Sequence, residues 1–479
     1  MNNKRYFAVI AALTMIAACV SCVKSEDNDS STKTTSAVSQ SAEDSSLEEE
    51  SAEESSEDTE AADESSAPEV IEDSQAESTE AESSADADVD TGDTTEDTTD
   101  AVTAGAGDIE ILEASADNTA LTSGSATVTI GNKQIDLSGA YIIDGIDAEI
   151  SGGTYESSNG DENVFLVING GSLKISNAEI IKTGDASTND STRTSDVSDD
   201  YNFYGINSVI LVVGEGSSAE ITDCTITSDC SGANAVFSTA GAQADVSNVS
   251  ITTTGNSSRG VYATYEGMIN AENVDITTSG AHCAPIATDR GGGYVTVKNS
   301  KVSCSGDGSP CIYSTGDITV ENVVGVSTGA QAAVIEGKNS ITMTDCDFTV
   351  SGGNNGVMLY QSMSGDAADK DATSSVSTLT MENSVIRNST DGAMFYITNT
   401  ASVIDLNGGN TLECDNGQLV SAATGRWGSD GSNGGSLTLN ITGDSISDSV
   451  SADDISSVTV NVYDGGEFTG ETSGDVTVS

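Results

Sequence analysis

From about residue 125 onward, apolar and polar positions alternate in short runs, and the runs recur. The segments EITDCTITS, DVSNVSITT, NAENVDITT, TVKNSKVSC, TVENVVGVS, TMTDCDFTV and TMENSVIRN align on one polar position, held by Asp223, Asn248, Asn273, Asn299, Asn322, Asp345 and Asn383. Successive steps between those residues are 25, 25, 26, 23, 23 and 38. A further short strand follows in each unit: AVFST, GVYAT, APIAT, CIYST, AAVIEG, GVMLYQ, GAMFYIT and QLVSAAT. Alternation with period two marks strands, and a fixed period of about 24 residues marks a stacked repeat. Three strands per unit predict one rung of a right-handed parallel β-helix, an all-β fold. A lone rung has nothing to bury its inward residues against, but stacking at about 4.8 Å turns Val, Ile, Ala and Ser into a continuous narrow core. The shared Asn suits a turn that needs an unusual backbone conformation, and its amide can bond the next rung. The pattern reaches back through Asn177 and Gly152 and forward through Asn407, Gly443 and Gly465. It therefore predicts one domain over 106–479 with roughly a dozen rungs, about 60 Å long. A β-sandwich would need tight hairpin turns every 8 to 12 residues or so and gives no such super-period.

Interruptions of the repeat are where loops leave the scaffold, and three are visible. The first, 183–202, is rich in Ser, Thr and Asp, with Asp185, Asp190, Asp196, Asp199 and Asp200. No calcium-loop spacing fits it, so a solvated mobile loop is expected and the metal content is left open. The second, 362–374, follows GVMLYQ and holds Asp366, Asp369 and Asp371; the third, 425–435, follows LVSAAT and holds Arg426 and Trp427. Both leave the same strand position two rungs apart, so about 10 Å separates their roots. The rung between them supplies Phe395 and Tyr396. Tyr360, Gln361, Phe395, Tyr396, Arg426 and Trp427 are thus the candidate ligand-binding residues. An aromatic face flanked by Arg, Gln and Asp suits a sugar ring or the anchor residue of a protein partner. Alternation alone leaves open which of Phe395 and Tyr396 points inward.

Charge changes the picture at the N-terminal end. The chain has 479 residues, 77 acidic against 16 basic side chains, a net charge of -61, 49 Gly and 3 Pro. Of the acidic residues, 28 lie between Lys24 and Gly105. So little apolar surface cannot offset an ordering cost of about 1–2 kcal/mol per residue, so 20–105 is expected to be a disordered acidic linker. Residues 1–19 read as a signal peptide: Lys4 and Arg5, an apolar run over 6–18, then Ile16-Ala17-Ala18-Cys19, which resembles the lipobox of bacterial lipoproteins. The expectation is a lipid on Cys19, anchorage in the bacterial membrane and display at the cell surface on the tether. Nucleic acid is excluded as a partner, because phosphate binding needs the clustered Lys and Arg that are missing.

Seven cysteines follow the anchor region: 224, 230, 283, 304, 311, 346 and 414. Cys224 and Cys346 occupy a position that is Val249, Val274 and Val323 in other rungs, and read as small buried residues. Cys304 with Cys311, or Cys224 with Cys230, could close a turn, but an odd total points to buried free thiols. The single histidine, His282 beside Cys283, lacks a second imidazole for a metal site and reads as a surface-turn residue.

The rung pattern over about three quarters of the chain resembles the pectate-lyase-like superfamily of right-handed β-helices. It is most similar to surface β-helix lipoproteins of gut Firmicutes, adhesin-like proteins in which runs such as MLYQSMSGDA and GRWG followed by SNGG recur. Relatives of that architecture include pectin-degrading enzymes, tailspikes and adhesins, so the resemblance implies a fold and not an activity. The polygalacturonase-type signatures are missing: the only His lies in Gly280-Ala281-His282-Cys283, Asp199-Asp200 falls in an insertion, and Asp453-Asp454 lies near the end. A strongly anionic surface also repels anionic polymers. The remaining catalytic candidate is Asp289 with Arg290, ending APIATDR. The expected function is a cell-surface binding module for a glycan or a protein, with no cofactor. The alternatives are a carbohydrate-active enzyme, lyase- or hydrolase-like, on a neutral polymer, and a surface scaffold without a small ligand.

Overall fold

The computed structural model describes residues 110–113, 121–188, 196–362 and 376–479. Cys19, the acidic linker, Asp190, Asp366, Asp369 and Asp371 lie outside the described residues. The chain divides into two units, 1–97 and 98–479, and the described residues all belong to the second.

That unit is a parallel β-solenoid of about 13 turns. One 22-stranded sheet carries the two strands on either side of the shared Asn, and a 14-stranded sheet carries the remaining strand of each rung. Strands stack in register. Ala219 pairs Ala244, which pairs Ile269, then Val295, Ile318, Ile341, Leu379, Ile404 and Leu439. These side chains are buried, and burying each contributes about 1.5–3 kcal/mol for a Val, Leu or Ile. The gain exists only while neighbouring rungs are in place, so the column is the physical reason for the repeat.

The Asn position behaves as the sequence implies. Asn177, Asp223, Asn248, Asn273, Asn299, Asn322, Asp345 and Asn383 all adopt φ between 48° and 55°. Asn and Asp are the side chains besides Gly that visit this left-handed region routinely. Their amides also bridge rungs: Asn322 Nδ2 donates to Asn299 Oδ1 at 2.8 Å, and Asn299 Nδ2 to Glu272 Oε1 at 3.0 Å. Near Asn407, Gly408 and Gly409 carry the positive φ instead.

Two departures from regularity position the site. At the N-terminal end, Gly124–Ile130 pairs antiparallel with Lys133–Asp144 and lies along the 14-stranded sheet. Further on, the end of the acidic insertion forms a short helix, Asp199–Tyr204, closed by Gly205 at φ 73°. This corrects the expectation of a solvated loop. Tyr201, Asn202, Phe203 and Tyr204 are buried, so four consecutive side chains anchor the helix in spite of the acidic residues before it.

Candidate functional site

The 14-stranded sheet has an inward and an outward column. Inward run Ile210, Val236, Val261, Ile286, Ile312, Ala333, Val357, Phe395 and Val420. Outward, in the same rungs, run Leu211, Phe237, Tyr262, Ala287, Tyr313, Val334, Met358, Tyr396 and Ser421. The outward column is itself largely apolar and needs a cover. Leu211, Phe237 and Tyr262 pack with Phe203 and Tyr204 of the helix and with Ile135 and Leu137 of the hairpin.

Where that cover ends a cleft opens, with a volume of about 300 Å³. Asp196, Asp199, Asn202 and Phe203 form one end, and Arg426 and Trp427 the other. The floor includes Arg259, Asp289, Tyr313, Val334, Met358 and Tyr360, and the corner turns add His282, Gly308 and Pro310. From Tyr262 to Met358 is four register steps, so the floor is about 19 Å long.

A polar spine runs along this floor. Tyr262 donates to Asp289 Oδ2 at 2.7 Å, and Arg259 Nη2 lies 3.9 Å from the same oxygen. The Arg259 guanidinium sits 4.5 Å over the Tyr262 ring and donates to Asn202 Oδ1 at 2.8 Å. Burial opposes the charge on Arg259, but Tyr262 and Asp289 outweigh it and hold its pKa above the ordinary value. Asp196 accepts from Ser257, tying the acidic insertion to the rung below. Further along, Tyr313 and Tyr360 both donate to Glu336 Oε2, the Tyr360 bond at 2.7 Å. Burial, and then the Glu336 charge, push both phenol pKa values well above the usual range.

Of the residues singled out from sequence, Tyr360, Arg426 and Trp427 come together. The Tyr360 and Trp427 rings are 4.4 Å apart at 41°, and the Arg426 guanidinium lies 4.3 Å from the Trp427 ring centre. Asn433 fixes their loop, its Nδ2 donating to the carbonyls of Gly425 at 2.8 Å and Trp427 at 3.0 Å. Phe395 must be corrected: it is fully buried between Val357 and Val420 in the inward column and faces no ligand. Tyr396 is on the outward column but outside the cleft lining, its hydroxyl donating to the Thr424 carbonyl at 3.2 Å. Gln361 is half-buried beyond the cleft edge, where its carbonyl accepts from Asn399 Nδ2 at 2.7 Å.

His282 is in a turn at φ 57°, as read from the sequence, but it is half-buried and lines the cleft. Asp289 reaches the floor, and Arg290 turns away, its guanidinium 4.0 Å from the Phe203 ring centre. Sequence reasoning passed over Arg259, Asn202, Tyr313 and Glu336. Aligning the third residue of the segments AVFST, GVYAT and CIYST sets Phe237, Tyr262 and Tyr313 in one column, and would have found Tyr313. Glu336 is the one acidic residue within its fully buried strand Ala333–Glu336.

Among the described residues, no group of three or more His, Cys, Asp or Glu is placed to hold a metal ion. No helix among them is long and apolar enough to cross a membrane. Comparison with family models, with curated proteins and with solved structures returns no match to this chain.

Proposed function

We propose that the protein is a lipid-anchored, adhesin-type binding module that presents this cleft at a bacterial surface to a neutral glycan. The observation that carries the reading is the Tyr360–Trp427 ring pair with Arg426 beside it, at the end of a 300 Å³ cleft with a polar floor. A sugar offers a C–H face to an aromatic ring and hydroxyls to flanking polar groups, and the cleft supplies both. The net charge of -61 opposes a polyanionic ligand. The signal-like start, the Cys19 lipobox and the likeness to surface β-helix lipoproteins support the anchoring part.

The test is retention of the full chain in detergent on an array of neutral glycans, beside Trp427→Ala. Retention by the wild type with at least a tenfold loss in the variant, at unchanged melting temperature, supports the reading; tenfold is about 1.4 kcal/mol, the scale of one stacked ring. Retention on none of the glycans sinks it.

One observation favours a hydrolase as second reading: Asp289 lies on the cleft floor, with the carboxylate of Glu336 nearby in the same spine. Against it, Asp289 is engaged by Tyr262 and Arg259, and Glu336 is 2% exposed. Release of reducing ends from a retained glycan, lost in Asp289→Asn, would favour the hydrolase.

A further inference from the structure

In the middle rungs, the strand after the Asn turn ends on a hydroxyl that clasps the next corner of the rod. Thr253 Oγ1 donates to the Ser258 carbonyl, Thr278 Oγ1 to the Cys283 carbonyl, and Ser327 Oγ to the Ala330 carbonyl at 2.8 Å. Cys304 takes this position between Thr278 and Ser327, in register with both. No hydroxyl is present there to make the clasp. Instead the Cys304 sulfur lies 3.6 Å from the sulfur of Cys311, across the same corner. The two side chains are 2% and 0% exposed, so the sulfurs meet out of contact with solvent.

We propose that Cys304 and Cys311 are a cross-linking site that closes to a disulfide by exchange with a low-molecular-weight disulfide such as oxidised glutathione. A disulfide needs a sulfur separation of about 2.05 Å, so closure asks for about 1.5 Å of approach. In the first step one protein thiolate attacks the external disulfide, forming a mixed disulfide and expelling one small thiol. The second protein thiolate then displaces the other. Two protein thiols become one disulfide, and two electrons and two protons pass to the reagent, which leaves as two thiols. The hydrogen bond from Cys311 favours the Cys304 thiolate, whereas the same bond and burial push Cys311 up, so Cys304 is the attacking group. Because both sulfurs are enclosed, exchange takes place before the neighbouring rungs stack or when the corner opens.

Cys304 Sγ also lies 3.8 Å from the Val326 carbonyl, a longer contact than the closest that Cys224, Cys230, Cys283 and Cys346 make with oxygen. Cys224 donates to the Thr222 carbonyl at 3.2 Å, Cys346 to the Thr344 carbonyl at 3.2 Å, and Cys283 to the Gly255 carbonyl at 3.1 Å. Cys230 lies against Ser228 at 3.4 Å. The 304–311 corner also carries Gly308 and Pro310, which line the cleft, so the cross-link would fix one wall of it. The proposal stands whether or not the cleft binds a glycan.

The experiment refolds the full chain in oxidised glutathione, denatures it, blocks free thiols and cleaves on the N-terminal side of aspartates. Asp307 lies between the two cysteines, so only a disulfide holds the resulting fragments together. The expected result is a linked pair of these fragments, lighter by two hydrogens than their sum, from most chains. Cys304→Ser should fold, since its neighbours carry hydroxyls at this position, and should yield no linked pair. Recovery of both fragments separately blocked, or of either joined to another cysteine, overturns the proposal.

Discussion

Replacing Phe395 by alanine tests the direction in which the strand Phe395–Thr398 faces. The ring is fully buried, in register with Val357 on one side and Val420 on the other. Truncating a core phenylalanine costs about 3–5 kcal/mol, the sum of lost transfer energy and the cavity left behind. Collapse into that cavity is restricted, because ladder hydrogen bonds hold the strands above and below in register, so a value of about 4 kcal/mol is expected. At about 2.1 cal/mol/K per residue, a stacked domain of about 350 residues unfolds with an entropy near 0.7 kcal/mol/K, so the midpoint falls by about 5 °C. Tyr396, half-buried on the outward column, should move the midpoint by less than about 2 °C when changed to alanine. The assay is thermal unfolding by circular dichroism, with hydrogen exchange at the amides of Val357–Tyr360 to detect local loosening in a repeat array. An unmoved midpoint for Phe395→Ala together with a large drop for Tyr396→Ala would refute the inward placement of Phe395.

Three further outcomes are expected. Asn273, at φ 54°, should lose about 1–2 kcal/mol in urea unfolding as Asn273→Ala and much less as Asn273→Gly, whereas equal losses would mean the backbone conformation is not what selects Asn. Gly325→Ala should destabilise by about 1–3 kcal/mol, since a Cβ there would meet the Phe348 ring at 2.2 Å, and Phe348→Leu should restore part of the loss. The raised Tyr313 pKa means that the unfolded chain gives up this proton first; the contribution is present in full below pH 10 and is lost as pH rises above it. Melting temperature should therefore fall less between about pH 9 and 11 in Tyr313→Phe than in the wild type, and parallel curves would dismiss the linkage.

The Asn column was legible because a left-handed turn restricts residue identity, and the restriction recurs once per rung. Parity in the 14-stranded sheet was not legible. At the Phe395 position other rungs carry Ile312, Ala333 and Val357; at the Tyr396 position they carry Tyr313, Val334 and Met358. Both columns are largely apolar, because the outward one lies under the hairpin and helix at its start and floors the cleft with Val334 and Met358 further on, so the usual alternation of polarity is absent. The acidic insertion misled for a related reason. Docking depends on Tyr201 and Asn202 at its end and on Phe203 and Tyr204 just past it. A composition read over 183–202 dilutes the first two and leaves out the others.

The cleft owes its position to the crossing of two independent gradients along the rod. The outward column is apolar, and the cluster it forms with the hairpin and the helix reaches Ala287, with Tyr313 packed at its edge; from there Tyr313, Glu336 and Tyr360 form a polar spine. The insertions bracket this transition, one ending in Asp196–Phe203 and the other beginning at Arg426 and Trp427. Contacts that close the site join distant parts of the chain: Asp196 to Ser257, Asn202 to Arg259, and Tyr360 to Trp427. Each pair meets because rung stacking converts sequence separation into a fixed rise of about 4.8 Å per turn. The distance between the walls is therefore set by the number of rungs, about four, rather than by loop flexibility.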